Sequence, residues 1–433
     1  MRGSQLKKLL LLSVTIPLLL MVVAAYKPLS FTTGAQLDYD LKPQEGVMYY
    51  EYTCNLTLEI KGDVSRLEDI NELLMFPNTS NQMVFLEAMS YKIGGEEIKK
   101  YEFTTDVDGN VIAVFDLSNY SVKPGDVIEI YFKVLIVRRA THLSVDLSEA
   151  ANSSIDDVPQ DLLRYTGNSD AWIVHPDIAR LAENLSGGEK RVLEVLSRFV
   201  KWIEDNIAYP FNESMRERVG PQYPLETYLK KMGDCDDDSI LLITMCRAVG
   251  IPAMLQLGCV FVPQFTWRET IMYNGNYVHK SKGTGWHAWS LVYIPKAGWV
   301  PLDLTYFAGA QYVWSDNMSL VYIKCPSGLI PRIEESAYYI TQPVIYANYS
   351  TLNYVENSRL WEEAISKGQL KYICIEELSA LGLGHKVELP IETPLAACLA
   401  LLVSVLAAYV KLRGRAKLSN DGERVVSVDQ PIV

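Results

Sequence analysis

After an apolar N-terminal stretch, the chain runs through short segments in which apolar and polar residues alternate: MYYEYTCNLTLEI, NVIAVFDL and DVIEIYFKVLIV. Val127, Ile128, Ile130, Phe132, Val134 and Ile136 keep the period of two that turns one face of a strand towards a core. Residues 36–140 are therefore expected to form an antiparallel β-sandwich. Within this region DVDGN, from Asp106 to Asn110, has the Asp-Gly pair of a hairpin turn and lacks the remaining ligands of a calcium loop, so it is read as a turn.

The period then changes. Residues 141–190 are polar and rich in Asn, Ser and Asp, as expected of a linker. From 191 onwards Val192, Val195, Leu196, Phe199, Val200 and Ile203 recur at three- and four-residue spacing, the mark of an amphipathic helix ending before Tyr209-Pro210. The stretch GDCDDDSILLITMCRAVGIPA, Gly233 to Ala253, predicts a second, mostly buried helix stopped by Gly250 and Pro252. GTGWHAWSLVYIPKAGWVPLDLTYF predicts a β-hairpin turning near Pro295–Gly298. Residues 311–390 read as an accessory, mainly β segment with short runs such as SLVYIKC and YYITQPVIYANYS and a brief helix in SRLWEEAISKG; no internal repeat is evident. The fold class expected is α+β, a helix-on-antiparallel-sheet core over 191–310 preceded by the sandwich.

Both ends carry membrane signals. Arg2, Lys7 and Lys8 precede an uncharged apolar run over 9–25, which is a signal peptide or a transmembrane anchor. A second apolar run, taken as a transmembrane helix over 394–412, is followed by Arg413, Arg415 and Lys417. With basic flanks held inside, residues 1–8 and the tail 413–433 are expected in the cytoplasm and everything between the apolar runs outside the cell membrane, so membrane lipid is an expected partner of the two ends. Eight Asn-X-Ser/Thr sequons begin at Asn55, Asn78, Asn119, Asn152, Asn184, Asn212, Asn317 and Asn348, all between the apolar runs. Eighteen asparagines would start only about two by chance, so the excess points to a surface glycoprotein.

A formal net charge of −12 without a basic block outside the termini argues against a nucleic-acid partner. Seven cysteines are scattered, with no CxxC and no His/Cys spacing suited to zinc, so neither a metal site nor a cofactor is expected and no disulfide framework is legible. Cys246 and Cys259 sit in apolar settings and are read as inert packing residues.

Cys235 differs because it stands at a helix entrance, where backbone N–H groups and the positive end of the helix dipole favour a thiolate and can hold an oxyanion. Asp236, Asp237 and Asp238 oppose that effect. They are read as first-turn carboxylates rather than a metal site, with Asp234 as N-cap. The thiolate then needs a nearby imidazolium. Of five histidines, His287 has the best setting: it shares a strand face with Trp289, Leu291 and Tyr293, and the hairpin returns the chain to Asp303. Positions 287 and 303 add to an even number, so they share a face only if the turn has three or five residues or carries a bulge at Gly298. Trp286, Trp289 and Trp299 are assigned to core packing ahead of a cleft lining.

GDCDD followed by a helix and GIPA, then HAW, then GWVPLD, resembles the transglutaminase-like family, in its compact microbial, membrane-anchored form. The likeness covers about 120 residues, with Cys235 52 residues before His287 and His287 16 before Asp303. It implies a papain-like core in which Cys235 attacks an acyl carbon, His287 moves the proton and Asp303 fixes the imidazole tautomer. The Cys235 backbone N–H is the first oxyanion donor expected, and Gln222 or Tyr223 is a candidate for the second. The expected function is a thiol enzyme on a protein or peptide substrate, a cysteine peptidase or amidase. Cross-linking transfer and a non-catalytic surface binding module are the alternatives.

Overall fold

Alternating burial is the basis of the N-terminal sheet. In Val127–Arg139 the inward residues Ile128, Ile130, Phe132, Val134 and Ile136 are almost fully buried, and from Leu135 onwards the opposite face is covered too. The computed structural model describes residues 36–39, 47–79, 81–139, 145–169, 171–210, 218, 220–263, 265–305, 312–314, 320–323, 328–341, 345–381 and 387–390. The apolar segments 9–25 and 394–412, the flanking 1–8 and 413–433, Asn212 and Asn317 lie outside the described residues. Among those described, no helix is long and apolar enough to cross a membrane.

In chain order the strands and helices are β1 (Gln36–Tyr39), β2 (Val47–Ile60), β3 (Glu72–Met75), β4 (Gln82–Ile93), β5 (Glu96–Glu97), β6 (Tyr101–Thr105), β7 (Val111–Phe115), β8 (Val127–Arg139), α1 (Pro176–Ser186), α2 (Val192–Asn206), α3 (Pro224–Lys230), α4 (Cys235–Ala248), β9 (Ala253–Phe261), β10 (Arg268–Met272), β11 (Tyr277–Lys282), β12 (Thr284–Ile294), β13 (Gly298–Leu302), β14 (Tyr312–Trp314), β15 (Leu320–Ile323), α5 (Leu329–Thr341), β16 (Ile345–Tyr349), α6 (Asn353–Ser366), β17 (Leu370–Ala380) and β18 (Val387–Pro390). Two units result. Residues 42–385 form one of them, and β1 pairs antiparallel with β18 in the other.

Within 42–385 a seven-stranded sheet has the order β10-β11-β17-β2-β8-β4-β5, and a three-stranded sheet the order β3-β7-β6. Their apolar faces share one core, in which Tyr52 meets Phe76 with ring centroids 5.0 Å apart and Tyr91 meets Phe115 at 4.5 Å. The DVDGN segment is the hairpin turn between β6 and β7: Asp106 accepts the backbone N–H groups of Asp108 and Asn110, and Gly109 supplies a φ of 86°. The N-terminal region does not build the larger sheet alone. β17, from the segment expected to be accessory, pairs antiparallel with β2 along eleven positions and parallel with β11, so late and early parts of the chain share one sheet.

The second core is helix on sheet. α2 buries Val192, Val195, Leu196, Phe199, Val200 and Ile203, as its spacing predicts, each full burial of such a side chain contributing about 1.5–3 kcal/mol. α4 is covered all round from Ser239 to Arg247 and packs against β9 and β12 of a four-stranded sheet ordered β13-β12-β9-β16. Arg247 fixes the far end of α4, donating to the carbonyls of Arg164 and Ser350 and lying 4.8 Å from the Trp172 ring. The stretch expected as a linker therefore carries structure: two short 3-10 turns and the helix α1, which starts on Pro176 and ends at Gly187 with φ 58°. α5 also departs from its pattern. The aromatic run YYIT suggests a strand, but Leu329, Ile333, Ser336 and Ala337 recur at helical spacing and are all buried, and that burial outweighs local β preference.

Candidate active site

Cys235 is the first residue of α4, and the turn before it is built to close approach. Asp237 accepts the backbone N–H of Asp234 (3.2 Å), the capping-box arrangement expected of an N-cap three residues upstream. A Cβ on Gly233 would lie 2.7 Å from Asp237 Cβ and 2.9 Å from Thr227 Cγ2, so only glycine lets α3 and α4 meet here. Each aspartate after the cysteine has its own neighbour. Asp236 accepts the Tyr354 hydroxyl (3.0 Å), Asp237 accepts the Gln222 backbone N–H (2.6 Å) and side-chain amide (2.8 Å), and Asp238 feels the Arg332 guanidinium. Hydrogen bonds from these carboxylates tie the helix start to α6 and to the segment before α3, although Asp234, Cys235 and Asp236 do place donor atoms near one another.

The hairpin supplies the other two groups. β12 and β13 pair with Ile294 opposite Gly298 and Ser290 opposite Leu302, around the three-residue turn Pro295–Ala297, where Lys296 takes a left-handed φ of 74° and Gly298 one of 82°. Extending that register by one residue sets Asp303 opposite Trp289, diagonal to His287 on the same face. The His287 Nε2 and Asp303 Oδ2 are 2.6 Å apart, with both side chains buried. Asp303 Oδ1 accepts the Thr305 N–H (2.9 Å), its own N–H donates to Ser336 Oγ (2.8 Å), and Arg332 donates to the Leu304 carbonyl (2.5 Å) while its Nε bonds Glu204. With Nε2 turned to the carboxylate, Nδ1 lies on the other side of the imidazole ring. Trp289 stacks against the His287 ring, centroids 5.9 Å apart.

Cys235 meets the same strand: the Ala288 backbone N–H reaches its thiol. Its electrostatics are adverse. Burial pushes the thiol well above its ordinary value, Asp234 and Asp236 push it further, the Ala288 hydrogen bond opposes them, and Asp303 adds to the rise. Burial also raises Asp237, with help from Asp236, to about 6, and raises Asp238 well above the carboxylate range. Cys246 and Cys259 are pushed up by burial, as expected of packing thiols.

A cavity of about 850 Å³ opens at Cys235 and is lined by Asp234, Asp236, Tyr354, Gly285 and Trp286, continuing along β2, β11 and β17. Trp286 is 41% exposed and donates its indole N–H to Glu376 (3.1 Å), whereas Trp289 is fully buried and Trp299 packs on Tyr165 and Tyr293. Of the residues named for the oxyanion, Gln222 spends its amide on the Met232 carbonyl (2.9 Å) and Asp237, and Tyr223 is a partly exposed N-cap of α3 beneath the Arg359 guanidinium. Thr305, Ser336, Arg332 and Tyr354 carry no motif. Thr305 follows Asp303 by two residues, whereas Arg332, Ser336 and Tyr354 come from 28 to 118 residues downstream of the groups they hold, and only the fold brings them in.

Asn55, Asn78, Asn119, Asn152 and Asn184 are exposed, while Asn348 is half-buried on β16, accepting from Gln256 (2.9 Å) and donating its backbone N–H to Asn110.

Residues 179–304 match the family model described as the transglutaminase-like superfamily, and this part of the chain is a transglutaminase-like core. The uncharacterized protein YebA of Bacillus subtilis (strain 168) is 31% identical over 115 residues, 26% of this chain; the match spans 14% of that relative's length. Among solved structures, one from Cytophaga hutchinsonii provisionally described as a cysteine protease aligns over 81% of this chain and 96% of its own at 13% identity, TM-score 0.45. The periplasmic domain of TgpA from Pseudomonas aeruginosa bound to ethylmercury aligns over 60% and 90% at 15% identity, TM-score 0.27. Red sea bream transglutaminase aligns over 58% and 47% at 12% identity, TM-score 0.23.

Proposed function

We propose that the chain is a thiol acyl-transfer enzyme that opens peptide or amide bonds, with Cys235 as nucleophile, His287 as acid and base, and Asp303 as the group that orients the imidazole. The observation that carries this reading is the buried 2.6 Å His287–Asp303 hydrogen bond, on a strand whose Ala288 N–H touches the Cys235 thiol. In the first half-reaction the Cys235 proton passes to His287 Nδ1 and the sulfur adds to the acyl carbon. The oxyanion lies at the start of α4, where the Cys235 backbone N–H is the first donor. Collapse breaks the C–N bond, His287 protonates the departing amine, and a thioester remains on Cys235. Water then releases an acid, the peptidase outcome, or a second amine takes the acyl group, the transfer outcome.

The surroundings of Cys235 make the imidazole indispensable. Burial and two aspartates disfavour an isolated thiolate, so the anion is stabilised as an ion pair with protonated His287, and Asp303 in turn stabilises that cation. We place this site outside the cell membrane, between an N-terminal signal or anchor at 9–25 and a transmembrane helix at 394–412, with the tail after 412 in the cytoplasm. Five exposed sequons fit that placement, and a glycan on the hydrogen-bonded Asn348 does not fit its strand.

The experiment is trapping. A peptide or amide activated at its acyl carbon should leave a thioester on Cys235, seen as an acyl mass increment on the tryptic peptide bearing it. Turnover of such a substrate with no acyl on Cys235, under conditions that trap thioesters, would remove the thiol mechanism.

A further inference from the structure

The cavity that begins at Cys235 ends on a second group of reactive side chains, contributed by three strands of the seven-stranded sheet. Alternation puts Cys374 and Glu376 on one face of β17. Parallel pairing sets His279 of β11 beside Cys374, and antiparallel pairing sets Cys54 of β2 beside Glu376. His279, Cys374 and Glu376 therefore form one cluster of donors, and Cys54 adjoins it beside Cys374. The Cys54 and Cys374 sulfurs are 3.8 Å apart, His279 Nε2 is 2.9 Å from Glu376 Oε1, and the His279, Cys374 and Glu376 donor atoms all lie within 4.8 Å of one another.

We propose that His279, Cys374 and Glu376, with Cys54 turned in from beside Cys374 as the fourth donor, form a site for a borderline-soft divalent cation, zinc by donor chemistry, set in the wall of the cleft and joining β2, β11 and β17. Two thiolates, one imidazole and one carboxylate are a tetrahedral zinc set, whereas calcium and magnesium require oxygen donors. Two sulfurs each about 2.3 Å from one tetrahedral ion lie about 3.8 Å apart, which is the spacing found. Ordinary packing explains a buried cysteine among apolar residues. It does not explain two thiols beside an imidazole and a buried carboxylate at the edge of a cavity.

The outer contacts support the same assignment. Glu376 divides its oxygens: Oε2 accepts the Tyr52 hydroxyl (2.5 Å) and the Trp286 indole N–H, and Oε1 faces His279. A carboxylate ligand held by hydrogen bonds on its second oxygen is the usual support of a metal site. Binding exchanges one cation for two thiol protons with no change of oxidation state, and His279 ligates through Nε2 with its proton on Nδ1. The ion would take the place of the His279–Glu376 hydrogen bond. Through Glu376 it would also fix Trp286, the residue before His287. The assignment stands independently of the mechanism at Cys235.

The test uses the full chain, reduced and carrying Cys235→Ala, so that the thiol and carboxylates at the head of α4 contribute no sulfur ligand. After loading with zinc and exhaustive dialysis, about one zinc per chain should remain, and cobalt in its place should give a thiolate charge-transfer band. Cys54→Ser with Cys374→Ser should lower zinc affinity at least about 100-fold and abolish the band, His279→Gln should lower affinity at least about 10-fold, and Cys246→Ser should change neither. If the double serine chain does not fold, His279→Gln decides. Loss of zinc on dialysis of the reduced chain, wild-type affinity in folded His279→Gln, or a native Cys54–Cys374 disulfide in the chain as isolated would each overturn the proposal.

Discussion

Two sets of thiols open into one cavity, and their surroundings differ in kind. Cys235 stands at the end of a helix, flanked by aspartates, with a single strand bringing the imidazole and amide that oppose them. Cys54 and Cys374 lie flat on a sheet, each beside a group that can share a metal ion with it. Their surroundings differ: Cys235 is driven up by burial and by Asp234 and Asp236, whereas Cys54 and Cys374 share a hydrogen bond between sulfurs 3.8 Å apart. On the proposed readings the attacking thiol depends on one partner, His287, and the metal-binding thiols depend on their neighbours collectively.

The largest expected effect breaks the first region and leaves the second intact. Cys235→Ala and His287→Ala should each lower kcat on a cleavable peptide or amide by about four orders of magnitude or more, with the double variant little worse than either single one. Asp303→Ala keeps thiol and base, so its loss should be smaller, with a measurable remainder. Steady-state kinetics on folded variants checks both; equal and complete loss for all three with unchanged folding would show that Asp303 does more than orient the ring.

The difference between the two regions also explains what the sequence discloses. Cys235, His287 and Asp303 are legible because a helix start and one hairpin place them in short contiguous motifs. The parity of 287 and 303 even restricts the turn, and the three-residue turn at Pro295–Ala297 satisfies it. The second cluster is spread over positions 54, 279, 374 and 376, with no spacing that suggests a metal, so a reading by local motif expects none. Only the pairing of β17 with both β2 and β11 assembles it, and that non-local pairing leaves no mark in either strand's pattern. The same holds for α5. Its helical burial repeat is masked by aromatic residues of high β preference, and its Ser336 and Arg332 reach the Asp303 turn from thirty residues away.

Smaller effects sharpen the account of the helix start. Gly233→Ala forces a carbon against Asp237 and Thr227 and should cost about 1–3 kcal/mol in denaturant unfolding, with activity falling further than stability because α4 must shift. An unfolding free energy equal to wild type would mean that the close approach is not required.

Asp237 gives a pH signature of similar size. Its folded value of about 6 lies above the ordinary 3.8, through burial first and then Asp236, so the folded state holds the extra proton across that interval. The stabilisation is present below about 4 and is lost as pH rises through about 6, on the order of 2–3 kcal/mol. Asp237→Asn should flatten that part of the stability profile between pH 4 and 6. An unchanged slope would assign the titration to another group.

The most direct measurement is the rate at which a small alkylating reagent modifies Cys235 as a function of pH, followed on its own tryptic peptide in the wild type and in His287→Ala. In the wild type the expected rate rises on a limb well below the ordinary thiol range, because the thiolate is held by imidazolium. Removing the imidazole should leave only an alkaline limb, displaced upwards by burial and by Asp234 and Asp236. A wild-type profile with the alkaline limb alone, unchanged by His287→Ala, would contradict the pairing of Cys235 with His287.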